Sequence, residues 1–113
     1  MQIHVYKCMI MFVSTTFEVI AEPARRQILD LLREGPRAVG ELVRETGLSQ
    51  PNTSRHLRVL RDAGLVESTP AGARRVYRLR LGGLSEIESW LAPYRRMWDR
   101  SLADLERHLE QEE

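Results

Sequence analysis

One cysteine, Cys8, stands among 113 residues. An internal disulfide therefore cannot form, and the fold must rest on packing alone. A reducing, cytoplasmic setting fits that. No apolar run reaches the roughly 18 residues that a membrane span requires, so no membrane partner is expected. Met9 to Val13 is apolar but too short for the core of a signal peptide. Lysine occurs once, at Lys7, so nearly all the positive charge is arginine. Catalytic groupings are missing too. No Ser/His/acid or Cys/His set has supporting context, and no Gly-rich phosphate loop follows a strand. A metal site needs about four soft or imidazole ligands at fixed spacing. His4, Cys8, His56 and His108 are scattered instead. The sequence thus points away from an enzyme and calls for no cofactor and no metal.

What is present is unevenly placed. The formal net charge is only +1. Yet Ser49 to Arg80 holds seven arginines (55, 58, 61, 74, 75, 78 and 80) against Asp62 and Glu67, while Leu102 to Glu113 holds five acids against Arg107. A basic middle suits a protein that meets a polyanion there. Within that middle, Leu48 to Leu65 has two unlike faces. Thr53, Leu57, Leu60 and Gly64 recur at helical spacing as a narrow packing stripe. Pro51, Asn52, Arg55 and Arg58 lie opposite, with Gln50 and Ser54 on the edges. Ser49 is a good N-cap and Gly64 a good stop. Arg, Asn and Gln can each make two hydrogen bonds to a base edge, and a major groove admits a helix. Residues 49–63 therefore read as a DNA recognition helix.

The rest of the chain fits around it. Residues 1–13 are apolar and hold three of the four methionines. They read as an extension, serving as a dimerisation arm or an extra strand, or as a misassigned start. Residues 14–113 form one domain. A short helix spans Phe17 to Ala21, with Ser14, Thr15 and Thr16 as cap candidates. A second begins at Glu22-Pro23, buries Ala24, Ile28, Leu31 and Leu32, and ends at Gly35-Pro36. Ala38 to Thr46 is a third, turning Val39, Leu42 and Val43 inward. Gly47 makes the turn, with Leu48 buried beneath it, and the recognition helix follows. That is a helix-turn-helix. Residues 66–81 form a hairpin with a Pro70…Gly72 turn; Tyr77, Leu79 and Leu81 alternate with Val76, Arg78 and Arg80. Such a hairpin is a wing, and Arg74 and Arg75 just past its tip suit backbone phosphate or a minor groove. After Gly82-Gly83, a long amphipathic helix over 84–110 repeats Leu84, Ile87, Leu91, Tyr94, Trp98, Leu102, Leu105 and Leu109. Pro93 is expected to kink or split it near Ala92. Its stripe either folds back on its own domain or is covered by a second copy, and the second is favoured.

The fold class is mainly α with a small β-hairpin wing, a winged helix-turn-helix. That order of elements, with Leu48-Ser49-Gln50, Ser54-Arg55-His56-Leu57-Arg58-Val59-Leu60, Ala63-Gly64-Leu65-Val66 and Arg74-Arg75-Val76-Tyr77, resembles ArsR/SmtB-type winged-helix repressors over about residues 15–110. The resemblance implies a homodimeric repressor on an imperfect palindrome, often in its own promoter, with a dimer built from the helices at 14–21 and 84–110. The family's Cys-x-Cys metal motif would fall on Ala38 and Gly40, which cannot ligate. This resembles the subgroup without metal sites, whose signal is a small molecule, a redox event or protein abundance.

The candidate DNA-binding residues are Ser49, Gln50, Asn52, Ser54, Arg55, Arg58, Arg74 and Arg75. Arg55 and Arg58 lead, and Ser49 serves chiefly as a cap. The candidate dimer interface comprises Phe17, Ile87, Leu91, Tyr94, Trp98, Leu102 and Leu105. His56 sits about one helical step off the packing stripe and reads as a half-buried, satisfied histidine. The partners implied are double-stranded DNA, a second copy and an unidentified small-molecule effector. Two rival readings keep the fold: a protein–protein module such as an antitoxin or adaptor, and a non-specific DNA architectural protein. An apolar interaction face would suit the first, and helix 49–63 presents a basic one.

Overall fold

In a computed structural model the described residues are 15–111. Residues 1–14, which include Cys8 and His4, lie outside them. Helix α1 (Thr15–Ala21) leads into α2 (Pro23–Glu34), then strand β1 (Arg37–Ala38), α3 (Val39–Thr46) and α4 (Gln50–Asp62). Strands β2 (Val66–Ala71) and β3 (Arg74–Leu79) follow, then a 3₁₀ turn (Leu81–Leu84) and the long α5 (Ser85–Gln111).

The periodicities account for most of this. Helix α2 starts on Pro23, whose missing N–H costs nothing at the first helical position. It buries Ile28 and Leu32 completely or nearly so, with Leu31 and Ala24 half-covered. Helix α3 buries Leu42, and α4 buries Thr53, His56, Leu57 and Leu60. With Val19, Leu65, Val66 and Tyr77 these side chains form one core at the junction of α2, α3, α4 and the sheet. Gly47 adopts φ +75° after α3, the left-handed conformation a tight helix-to-helix turn demands. Thr46 steadies the same turn: its Oγ1 donates to the Leu42 carbonyl at 2.7 Å and accepts from the Leu48 N–H at 3.2 Å. Leu48 itself is half-buried rather than fully covered.

The structure departs from the sequence reading at several points. The sheet has three strands in the order β1-β3-β2, not two. Arg37 pairs with Tyr77 and Ala38 with Val76, so Ala38 is a buried strand residue ahead of α3. Two residues are too few to show a period, so no pattern announces β1. The hairpin turn is tighter than expected, at Gly72-Ala73, because Pro70 and Ala71 stay in register opposite Arg75 and Arg74. Pro70 is tolerated because β2 is an edge strand and needs no donor on its outer side. Strand β3 ends at Leu79; Leu81 belongs to the 3₁₀ turn and is 72% exposed, so it does not continue the alternation. Helix α1 starts at Thr15, two residues before Phe17. Helix α5 is not split at Pro93 but runs as a single helix of 27 residues, about 40 Å long at 1.5 Å per residue. None of its residues is buried, so it does not fold back on the body. No described helix is long and apolar enough to cross a membrane.

Candidate nucleic-acid interface

Ser49 fixes where α4 begins. Its backbone is extended, and its Oγ accepts from the Asn52 N–H at 3.2 Å. The Thr53 hydroxyl donates to the Ser49 carbonyl at 2.9 Å, which lets a polar side chain sit fully buried against the core. With Thr53, His56, Leu57 and Leu60 held inward, the helix turns Gln50, Asn52, Ser54, Arg55 and Arg58 outward, all exposed. The side chains of Arg55 and Arg58 make no hydrogen bond or ion pair with another described residue. Their guanidinium groups are therefore free to accept an external partner without first breaking an internal one.

The wing arginines differ. Arg74 and Arg75 are both exposed at the hairpin tip, but each is engaged. Arg74 Nη2 lies 3.1 Å from Glu41 Oε1, and Arg75 Nη1 donates to Ser68 Oγ at 3.1 Å. The same Glu41 carboxylate accepts from the Ala38 N–H at 3.3 Å, so one side chain caps α3 and tethers the wing to it. Exposed pairs of this kind contribute about 0–1 kcal/mol, so phosphate could displace Glu41 readily. Between the wing and α3 lies an open cleft of about 480 Å³ bordered by Gly40, Arg44, Ala73, Arg74 and Arg75. Arg44 was not among the residues singled out from the sequence. It lies on α3, far from the wing in sequence, and the pairing of β1 with β3 together with the Glu41–Arg74 contact brings the two together.

Behind the exposed face, His56 is 8% exposed, more deeply placed than a half-buried residue. Its Nδ1 accepts from Arg25 Nε at 3.3 Å, which requires the neutral ring with its proton on Nε2. Burial, then the nearby Arg25 and Arg55 charges, push its pKa below the usual value near 6.5, while Glu22 pulls the other way. Arg25 also donates to the Val19 carbonyl at 3.3 Å. It thus ties α1, α2 and α4 together, a role that nothing in its own sequence neighbourhood signals.

On the far side, α5 carries an uncovered apolar stripe. Tyr94 is 55% exposed, Trp98 65%, Leu102 46% and Leu105 53%; Trp90, Leu91, Met97 and Leu109 are also exposed, and Ile87 is half-buried. Phe17 of α1 packs edge-on against Trp90 at 5.8 Å between ring centres, and Trp90 lies 4.9 Å from Tyr94. These three rings join the first helix to the last. Among the described residues no three His, Cys, Asp or Glu side chains gather into a set that could hold a metal ion.

This arrangement has known counterparts. Residues 22–68 match the model of the bacterial regulatory protein arsR family. An HTH-type transcriptional regulator of Mycobacterium tuberculosis is 44% identical over 86 residues, covering 76% of this chain and 78% of that protein. The chain belongs to the arsR family of bacterial regulatory proteins. Another relative of this arsR-family chain is the transcriptional repressor SdpR of Bacillus subtilis, 29% identical, covering 79% of this chain and 99% of that one. Among solved structures, the homodimeric winged helix-turn-helix DNA-binding domain of a possible ArsR-family regulator from Mycobacterium bovis superposes with a TM-score of 0.62. It is 29% identical and covers 80% of this chain and 83% of that one. The match to the family model ends at residue 68, so it includes α2 to α4 but neither the Arg74-Arg75 tip nor α5.

Proposed function

We propose that this arsR-family regulator is a homodimeric, sequence-specific repressor of its own or neighbouring promoters, acting on cytoplasmic DNA through an imperfect palindromic operator. The observation that carries the reading is the outward face of α4. There, two guanidiniums free of internal partners stand beside Gln50, Asn52 and Ser54 on a helix held rigidly by its buried opposite face. Arg55 and Arg58 read base edges; Ser49 and the α4 N-terminus favour a phosphate. Arg74 and Arg75 exchange Glu41 and Ser68 for backbone phosphates and add affinity without sequence preference. A second copy covers the α5 stripe through Phe17, Ile87, Leu91, Tyr94, Trp98, Leu102 and Leu105, as an isologous pair. The two α4 helices then enter successive major grooves about 34 Å apart. Occupancy of the promoter excludes polymerase, and an effector relieves it. SdpR being a repressor and the Mycobacterium bovis domain being a homodimer support this reading.

Fluorescence anisotropy on the upstream DNA and on a shuffled duplex, at two salt concentrations, tests it. A specific regulator prefers its operator by roughly a thousandfold or more at near-physiological salt. Arg55→Ala should relax the sequence preference, at about 1–3 kcal/mol for a lost bidentate contact. Replacing Arg74 and Arg75 with Ala should weaken binding to every duplex and flatten the salt dependence. Equal, steeply salt-sensitive binding to all duplexes, with no operator recovered by genome-wide selection, would mean an architectural protein. No binding to any duplex would favour the protein–protein module.

A further inference from the structure

A second cavity lies away from the α4 face, where α2, the base of the wing and the 3₁₀ turn meet. It encloses about 350 Å³, within the range of small-molecule sites. Its walls are apolar, formed chiefly by Leu29, Leu65, Leu79 and Leu84. Its rim is charged, with Arg26, Asp30, Arg33 and Arg80. Arg26 is committed to the fold: Nη1 donates to the carbonyls of Ile20 at 2.7 Å and Ala21 at 3.1 Å. The side chains of Arg33 and Arg80 make no hydrogen bond or ion pair with any described residue. Three guanidiniums face one carboxylate, and two of them are unengaged.

We propose that this cavity is an effector site for a small amphipathic carboxylate. The apolar body lies among Leu29, Leu65, Leu79 and Leu84, and the carboxylate is held by Arg33 and Arg80. The charge decides the class. A cationic ligand would meet a net positive rim. A neutral one would leave both free guanidiniums unused. An acid gains charge-assisted hydrogen bonds, the stronger kind.

The position of the cavity says what its occupant does. Leu65 lies three residues past the end of α4, its N–H donating to the Leu60 carbonyl at 2.9 Å, and its own carbonyl accepts from the Arg80 N–H at 2.9 Å. Leu84 directly precedes α5. Beside them Gly83 approaches the Gly64 carbonyl so closely that a Cβ at position 83 would lie 2.2 Å from its oxygen. The recognition helix, the wing base and the dimerisation helix thus share one joint, and a ligand seated between Leu65 and Leu84 bears on it. Shifting α5 against α4 changes the separation of the two recognition helices in a dimer and lowers operator affinity, provided the ligand binds the shifted state better. That regulatory half rests on the operator-binding reading above; the ligand site does not.

The test uses the full chain. Octanoate and indole-3-acetate, with octanol as the uncharged counterpart, are titrated by calorimetry and by amide NMR, and operator affinity is measured separately with and without the acid. At least one acid should move the amides of Leu65, Leu79, Arg80 and Leu84, and should bind more tightly than octanol. Replacing Arg33 and Arg80 together with Ala should weaken the acid about tenfold, the scale of a hydrogen bond to a charged group, and leave octanol unchanged. Both residues are exposed, so this variant keeps the fold. Leu29→Trp should fill the cavity and abolish binding of the acid. The site is overturned if neither acid shifts those amides at millimolar concentration, if octanol binds as well as octanoate, or if binding survives both variants. Acid binding with unchanged operator affinity overturns the regulatory half. If the chain binds no operator, the DNA reading fails, and the calorimetry still decides the site.

Discussion

Helices α4 and α5 carry similar instructions and meet different fates. Both set apolar side chains three and four residues apart along one face. In α4 that face is closed: Thr53, Leu57 and Leu60 are fully buried, and His56 nearly so. In α5, more than twice as long, nothing is buried and eight large apolar side chains are exposed, two of them tryptophan. The difference lies in what each face finds opposite. Helix α4 meets α2, α3 and the sheet within 50 residues of chain. Among the described residues, helix α5 meets chiefly the Phe17 ring and the 3₁₀ turn, and its apolar stripe stays exposed. A contiguous apolar strip of this length is rare on a monomer's surface and marks an interaction site. The lesson is that an amphipathic pattern specifies burial, and the rest of the fold decides whether the burial is internal.

The comparison can be broken first at α5. Placing Glu at both Trp98 and Leu105 should weaken self-association by more than about a thousandfold, since a symmetric interface meets each substitution twice. Sedimentation should then give a monomer, and the concentration dependence of the melting temperature should vanish. An unchanged mass would remove α5 from the interface. Truncating α4 instead attacks the internal side. Leu57→Ala should cost about 3 kcal/mol in urea unfolding, because the fully buried site leaves a cavity behind. The corresponding Leu102→Ala, in chain dilute enough to be monomeric, should stay within about 0.5 kcal/mol. Similar costs at the two positions would erase the distinction between the helices.

The joint between the two regions gives a smaller effect. Gly83→Ala forces a methyl against the Gly64 carbonyl and should cost about 2 kcal/mol, the range of overpacking. Serine in its place should do no better. A variant as stable as the original would mean that α5 and the body adjust freely.

Helix α4 also carries a pH dependence. His56 is neutral when folded, with its pKa below the value near 6.5 that it has when unfolded. Above that value neither state binds the proton and nothing is lost. Below it the unfolded chain takes up a proton that the folded chain resists, so stability falls as pH drops toward the folded pKa. The charges around the ring are Arg25 on α2, Glu22 at the cap before it, and Arg55 on its own helix. His56→Gln should flatten this acid limb of the stability curve. If wild type and variant lose stability in parallel below pH 6.5, His56 is not the group responsible.

The helices were legible because their signals are local. Ser49 before Gln50-Pro51, Gly47 and Gly64 at helix ends, and the three-and-four spacing of Ile28, Leu32, Leu57 and Leu60 all act within a few residues. The alternation in β3 likewise set Tyr77 and Leu79 on one face, and the structure buries Tyr77 and half-buries Leu79. Of the two outcomes expected at Pro93, one is excluded: a proline removes one hydrogen bond, yet α5 is not split there, because a 27-residue helix has many others.

The outward set on α4 was determined by the sequence itself, since the helical period alone separates Arg55 and Arg58 from Leu57 and Leu60. What only the tertiary structure decided is which charges are free. Strand β1, the Glu41–Arg74 pair, the Arg25–His56 contact and the cavity between Leu65 and Leu84 all join residues 19 or more positions apart. Such meetings depend on how helices and strands pack, and periodicity along the chain carries no information about them.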